Sequence, residues 1–77
     1  MKIKSTSLEG VLLATPDIHA DPRGYFYESF NQKEFFSLTG RSFSPVQDNQ
    51  SFSEYGTLRG IHFQINPMAQ AKLIKVL

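Results

Sequence analysis

The chain alternates short apolar runs with residues that favour turns, and this pattern predicts β-strands joined by tight loops. The strands are expected over residues 8–15, 24–30, 42–53, 57–65 and 70–77. Residues that break or bend a strand separate these runs, at Pro16, Pro22, Gly24, Gly56 and Asn66-Pro67. The pattern is typical of an all-β fold of the sandwich or jelly-roll type.

One short helix interrupts the predicted strands. Asn31 is followed three positions later by Glu34, which is the spacing of a helix N-cap and its reciprocal acidic partner. Gly40 suits the end of the helix, because glycine readily adopts the left-handed backbone conformation found there. The apolar face of this helix is expected to consist of Phe35, Phe36 and Leu38.

Length limits what these elements can build. The 77 residues allow one domain at most, and five strands with one helix do not close a barrel by themselves. The last run, residues 72–77, is an apolar strand with nothing after it to cover its edge. We therefore expect residues 1–77 to be the N-terminal part of a single domain, with Leu77 not its natural end.

Composition excludes several classes of function. A net charge of +1 gives no electrostatic reason to bind nucleic acid or acidic lipid. The chain has no cysteine, so it has neither disulfides nor thiolate metal ligands. Its apolar runs reach three or four residues, far fewer than the ~18 of a membrane helix, and its start lacks the apolar core of a secretion signal. The expected setting is a soluble protein of a reducing, cytoplasmic compartment.

Candidate chemistry lies in the polar second half, where the hairpin register decides which side chains meet. If Gln64 pairs with Gln70 across a five-residue loop, His62 lies opposite Lys72 with Cβ atoms ~4.5–5.5 Å apart. If Ile65 pairs with Gln70 instead, His62 and Lys72 lie on opposite faces. We expect the first register, because it alone gathers the polar side chains into one pocket.

Arg59 fits this pocket less simply. Strict alternation places Arg59 on the face opposite His62. A bulge at Gly60 would redirect one of the two side chains, and otherwise Arg59 acts at the entrance of the strand.

The spacing of Gly56 and His62 resembles the metal-binding motif of cupins. Gln64 replaces the second histidine of that motif, and Met68 and Ala69 occupy the positions of its glutamate. A single imidazole does not hold a transition metal by itself. The motif therefore favours a cupin-like barrel without a metal.

Four segments in order, residues 21–28, 47–51, 56–64 and 70–73, resemble the motifs of dTDP-4-dehydrorhamnose 3,5-epimerases. The resemblance implies a cupin-type double-stranded β-helix (a jelly roll), of which this chain is an incomplete N-terminal portion. It implies a homodimer with strand exchange and a nucleotide-sugar substrate, a dTDP-linked 4-keto-6-deoxyhexose. The implied reaction inverts C3 and C5 without a cofactor, on the route to dTDP-L-rhamnose and surface polysaccharide such as O-antigen.

The resemblance also assigns roles to individual residues. His62 becomes the base that removes the proton, and Lys72 stabilises the enolate and binds substrate. The remaining substrate contacts are carried by Arg59 on the diphosphate, by Gln47, Asp48 and Asn49, and by Arg23 and Glu28 from the neighbouring subunit. The family's tyrosine acid and its aspartate belong to later segments, so residues 1–77 alone are expected to be inactive.

Plainer interpretations stand beside these roles. His62 alone would more often be a hydrogen-bonded barrel histidine, and Lys72 a solvated charge on a strand. Arg23 and Glu28 alone would form an exposed cross-strand ion pair worth under ~1 kcal/mol. The alternatives for the whole protein are a related mono-epimerase, a 3,4-ketoisomerase, or a non-catalytic cupin-like module for binding or strand exchange.

Overall fold

A computed structural model describes all residues, 1–77, as two compact units, Met1–Ser44 and Pro45–Leu77. The first unit holds every regular element. These are β1 (Lys2–Ser5), β2 (Leu12–Thr15), β3 (Ile18–Asp21), β4 (Gly24–Tyr27) and α1 (Gln32–Thr39). The prediction of a mostly β chain with one short helix is confirmed at this level, while the closed jelly roll stays a prediction.

Strands β1 and β2 form an antiparallel pair in which Ile3 lies opposite Ala14 and Ser5 opposite Leu12. The half-buried side chains of this pair, those of Ile3, Leu12 and Ala14, share one face of the pleat, and helix α1 lies against β1. Strand β1 was not expected. Its signal is the short alternation of lysine with Ile3, which is too brief to stand out in the sequence.

The predicted strand over residues 8–15 is correct only in its second half. Its first half is a turn, because Thr6 accepts a hydrogen bond from the Leu8 N–H and donates its hydroxyl to the Val11 carbonyl. Gly10 has a φ of 81°, a left-handed conformation that glycine adopts readily and that a regular strand does not contain. The second half is β2, and it stops at Thr15, immediately before Pro16 as predicted.

Strands β3 and β4 form a tight antiparallel hairpin with Pro22 and Arg23 in its loop. The predicted turn is confirmed, and Gly24 takes a φ of 136°, which excludes most side chains. The predicted aromatic strand is shorter than expected and ends at Tyr27. The rings of Tyr25 and Tyr27 stack on one face of the hairpin with their centroids 6.0 Å apart.

Both capping residues of helix α1 act as predicted, but the Glu34 carboxylate, expected to bind Asn31 in return, accepts from the Met1 amino group instead. The Asn31 side chain accepts a hydrogen bond from the Glu34 N–H at 3.0 Å, and the Gly40 N–H donates to the Phe36 carbonyl at 2.8 Å with a φ of 69°. The predicted apolar face is correct only for half-buried Phe35, since Phe36 and Leu38 are exposed.

An aromatic cluster holds the end of the first unit together. The ring centroids of Phe30 and Phe43 lie 5.5 Å apart in an edge-to-face arrangement, and Phe35 lies 5.9 Å from the first and 6.2 Å from the second. No side chain in the chain is fully buried. These contacts are therefore partly exposed.

The strands predicted over residues 42–53, 57–65 and 70–77 are not formed. No residue after Thr39 lies in a helix or a strand. A strand is held by the backbone of a neighbour and by a covered face, and here both are lacking. Val46 and Ile61 are 98% and 96% exposed.

No helix in the chain has the length and apolar character needed to cross a bilayer.

The turns predicted for the second unit are nonetheless in place. The Thr57 N–H donates to the Glu54 carbonyl at 3.1 Å, with Gly56 at a φ of 81°. The Met68 N–H donates to the Ile65 carbonyl at 2.8 Å. The residues expected to bend the chain bend it, although the strands they were expected to join do not pair.

Candidate active site

The tip of the β3–β4 hairpin presents the first candidate residue, Arg23. Its Nη2 lies 2.6 Å and its Nε 3.1 Å from Oδ2 of Asp21, and its backbone N–H donates to Oδ1 of Asp21 at 2.8 Å. These bonds from Arg23 hold the pKa of the Asp21 carboxyl below its usual range, and Asp21 raises the pKa of the guanidinium. The salt bridge of Arg23 goes to Asp21, so the simple ion pair with Glu28 considered from the sequence is not formed.

Two clefts border this hairpin and share the side chains of His19 and Phe26. These two residues face each other across β3 and β4. One cleft, of about 270 Å³, is lined by His19, Asp21, Arg23, Gly24, Tyr25 and Phe26. The other, of about 200 Å³, is lined by Met1, Asp17, His19, Phe26, Glu28 and Glu34. Arg23 and Glu28 thus line adjoining clefts that share the His19 and Phe26 side chains.

The second cleft is organised around the amino group of Met1. This group donates to Oδ2 of Asp17 at 2.6 Å and to Oε1 of Glu34 at 2.7 Å. The bond to Asp17 is the larger cause that raises the pKa of the amino group, followed by the bond to Glu34. The same amino group lowers the pKa of Asp17. Glu28 therefore lines the same cleft as a cation that is already shared by two carboxylates.

The remaining polar candidates lie in the second unit and are exposed. The Gln47 amide donates to Oδ1 of Asn49 at 3.1 Å, which brings these two side chains together. Asp48, between them, is exposed. Nη2 of Arg59 donates to the Phe52 carbonyl at 3.0 Å, so its guanidinium folds back along its own segment.

His62 and Lys72 are both exposed, and no hydrogen bond joins them. The turn closed by Ile65 and Met68 lies inside the loop that the expected hairpin requires. If strands paired directly outside this turn, Asn66 and Pro67 would form a two-residue loop. Ile65 would then pair with Met68, and His62 would lie opposite Ala71. The register that faces His62 with Lys72 needs a five-residue loop, residues 65–69, which is centred on Pro67, half a residue further along the chain. The meeting of these two side chains stays a prediction.

No group of three or more His, Cys, Asp and Glu side chains is placed to hold a metal ion. Two of the carboxylates in the second cleft, those of Asp17 and Glu34, are joined through the Met1 amino group.

Sequence reasoning overlooked two residues that shape the clefts. Asp21 had a readable signal, because an acidic residue two positions before an arginine in a turn can bind both its backbone and its side chain. Met1 had none, since its two carboxylate partners are 16 and 33 residues away.

Comparison with known proteins gives a consistent result. The sequence profile of the family described as dTDP-4-dehydrorhamnose 3,5-epimerase matches residues 5–77. The chain is 47% identical over 75 residues to the dTDP-4-dehydrorhamnose 3,5-epimerases of Shigella flexneri and of Escherichia coli K12. It is 39% identical over 74 residues to the dTDP-4-dehydrorhamnose 3-epimerase of Streptomyces niveus. No solved structure matches the chain.

These matches cover the chain and the relatives unequally. They include 97% of this chain for the Shigella and Escherichia proteins and 96% for the Streptomyces protein. They include 41%, 40% and 36% of those proteins, respectively. The chain thus spans about two fifths of the length of the curated relatives it matches.

Proposed function

The chain belongs to the dTDP-4-dehydrorhamnose 3,5-epimerase family, and on this premise we propose that the whole protein inverts C3 and C5 of dTDP-4-dehydro-6-deoxyglucose. The product of that double inversion is dTDP-4-dehydrorhamnose, the precursor of dTDP-L-rhamnose. The observation that carries the proposal is the family match over residues 5–77, which includes all of the candidate residues.

The proposed chemistry begins with the ketone at C4, which acidifies the C–H bonds on both sides of it. His62 takes the proton from C3 or C5, because a neutral imidazole nitrogen accepts a proton and is the most frequent general base in enzymes. The electron pair of the broken C–H bond forms a C=C bond, and the carbonyl oxygen takes up the negative charge. Return of a proton to the opposite face of the same carbon completes each inversion.

Lys72 stabilises the enolate in this scheme. Its ammonium group donates a hydrogen bond to the C4 oxygen, and the interaction strengthens as charge moves from carbon to oxygen. Stabilisation that grows along the reaction coordinate lowers the barrier instead of only tightening substrate binding. This role requires the segments on either side of Asn66-Pro67 to pair so that His62 and Lys72 share a face.

The nucleotide end of the substrate needs donors of a different kind. Arg59 is proposed to bind the diphosphate, since a planar guanidinium forms two parallel hydrogen bonds with phosphate oxygens. Gln47, Asp48 and Asn49 are proposed to contact the nucleotide sugar. The existing bond between the Gln47 and Asn49 side chains supports this, because it already holds two of these polar groups together.

Arg23 and Glu28 are proposed to contact the substrate from one subunit of a homodimer whose other subunit supplies His62. Their place on adjoining clefts of one hairpin supports a shared role. The jelly-roll fold, the strand exchange, the cytoplasmic setting and the contribution to surface polysaccharide belong to the same proposal and rest on the family resemblance.

The direct test of this function is proton exchange at the two carbons. The whole protein is incubated with dTDP-4-dehydro-6-deoxyglucose in deuterated water, and the product is examined by NMR. Deuterium at both C3 and C5 with inversion at each is the expected result. A substrate that keeps hydrogen at both positions while dTDP binds normally would refute the proposed epimerisation.

A second candidate function is inversion at C3 alone. It is favoured by the similarity to the Streptomyces niveus protein, which is named a 3-epimerase and is 39% identical over 74 residues. Both carbons flank the same ketone, so the chemistry of the base and the enolate is shared. The same NMR experiment separates the two candidates, since the 3-epimerase would place deuterium at C3 only.

A further inference from the structure

One carboxylate, that of Asp21, binds both the main chain and the side chain of Arg23. Oδ1 accepts the Arg23 backbone N–H at 2.8 Å, and Oδ2 accepts Nη2 at 2.6 Å and Nε at 3.1 Å. Asp21 is the last residue of β3, so its own backbone is held by the pairing with Gly24 on β4. The carboxylate therefore connects a loop arginine to a paired strand.

This arrangement leaves a defined part of the guanidinium available. A guanidinium has five N–H donors, and Asp21 uses the one on Nε and one on Nη2. Both hydrogens of Nη1 and the second hydrogen of Nη2 stay free, and the Arg23 side chain is 90% exposed. Arg23 thus presents the end of its fork, which matches a pair of phosphate or carbonyl oxygens.

Because Asp21 holds Arg23 in one conformation, ligand binding costs less side-chain entropy. A free arginine side chain on a loop has many rotamers, and fixing one of them on contact with a ligand weakens affinity. Here Asp21 has already fixed it. The hydrogen bonds from Arg23 lower the pKa of the Asp21 carboxyl, so the anchor stays charged further into the acid range.

We infer that Asp21 is a positioning residue, which orients the guanidinium of Arg23 toward the phosphate oxygens of a nucleotide diphosphate-sugar. The inference rests on the proposed function, because Arg23 is a substrate contact only under that proposal. Asp21 itself is not proposed to touch the substrate. Its contribution passes through Arg23.

The test uses the whole protein, dTDP as the probe, and Asp21→Asn as the main variant. Asparagine keeps an oxygen for the Arg23 backbone N–H and so keeps the turn, but it loses the charge that holds the side chain. Glu9→Gln, an exposed residue of the β1–β2 loop, is the matched control for loss of one acidic charge. Calorimetry measures dTDP affinity for each variant alone and in an Arg23→Ala background.

Asp21→Asn is expected to weaken dTDP binding by about two- to tenfold, the cost of ordering one long side chain on binding. In the Arg23→Ala background the same change should have no effect, because the side chain it positions is gone. NMR relaxation of the Arg23 Nε–H should show increased motion in Asp21→Asn. In Glu9→Gln the motion should be the same as in the unaltered protein. A rise in KM with kcat retained should accompany these changes.

Each contrary outcome points to a different failure. Equal weakening with and without the Arg23 side chain would overturn positioning and leave only a role in the turn. Unchanged affinity in Asp21→Asn, with binding weakened by Arg23→Ala, would overturn the inference alone. Normal dTDP binding by Arg23→Ala would remove Arg23 from the proposed substrate site and the role of Asp21 with it.

Discussion

The amino group of Met1 lies 2.7 Å from Oε1 of Glu34, and this bond attaches the start of the chain to the first turn of helix α1. The same amino group lies 2.6 Å from Oδ2 of Asp17, just before β3. One cation thus connects β1, the approach to β3 and the helix. The Met1 side chain is 5% exposed, whereas the side chains of Asp17 and Glu34 are 64% and 39% exposed, so the junction is covered only on the Met1 side.

The junction predicts a pH window for the packing of the first unit. The lowered pKa of Asp17 adds stability that is full above its usual value of ~3.9 and is lost as the pH falls through the lowered pKa. The raised pKa of the Met1 amino group adds stability that is full below its usual value of ~8 and is lost as the pH rises through the raised pKa. Packing should therefore be tightest between these limits.

The measurement is the pH dependence of amide chemical shifts around Asp17 and Glu34. Asp17→Asn should flatten the acidic limb of the profile and leave the alkaline limb, because Glu34 still binds the amino group. An acidic limb that persists unchanged in Asp17→Asn would show that the ion pair does not control the packing.

Replacing the helix N-cap should weaken α1 selectively. Asn31→Ala removes the oxygen that accepts the Glu34 N–H, and loss of such a cap costs about 1 kcal/mol. Hydrogen exchange at the Glu34 amide should quicken, and helical circular dichroism should decrease. Lys33→Ala, an exposed change inside the same helix, is the control and should leave that amide protected. Equal exchange in the two variants would contradict the cap.

The other end of the helix makes a matched prediction about glycine. Gly40 has a φ of 69° and open space where a Cβ would lie, so any penalty for Gly40→Ala comes from the backbone and not from a clash. A left-handed alanine costs about 1–2 kcal/mol. Gly60→Ala, with equal space and no positive φ, is the control and should not change helix content. Similar losses in both variants would contradict the αL cap.

These helix and turn features are the parts of the fold that the sequence predicts well, because each depends on residues three or four positions apart. Asn31, Gly40 and Gly56 all act where expected. Strands depend on partners elsewhere in the chain. The run around Ile61 has the composition of a strand and yet is exposed and unpaired, since composition does not supply a neighbour.

The candidate site shows the same difference between features set by nearby residues and features set by distant ones. Arg23 is correctly expected in a turn, because Pro22 and Gly24 encode that turn locally. The facing of His62 and Lys72 depends on a hairpin register, which the local turn at Ile65 does not decide. The Asp21 anchor was readable in principle, as a short-range contact, whereas the Met1 junction joins positions too distant for sequence patterns to reveal.

Lys72 offers a prediction about the enolate. Lys72→Met in the whole protein removes the ammonium group and keeps much of the side-chain volume. Epimerisation should fall by about 10²–10³-fold in kcat, the usual cost of losing one donor to a developing oxyanion. Lys4→Met, an exposed lysine of β1, is the control and should keep full activity. Comparable activity in the two variants would remove Lys72 from the reaction.

The central claim is that His62 removes the proton, and solvent exchange in His62→Gln tests it most directly. The whole protein carrying this change is given the 4-keto sugar nucleotide in deuterated water, with dTDP affinity measured beside it to show an intact site. Deuterium incorporation at C3 and C5 should fall by about 10²–10⁴-fold, the contribution of a general base, while dTDP still binds. Incorporation at the unaltered protein's rate would contradict the assignment of His62 as the base.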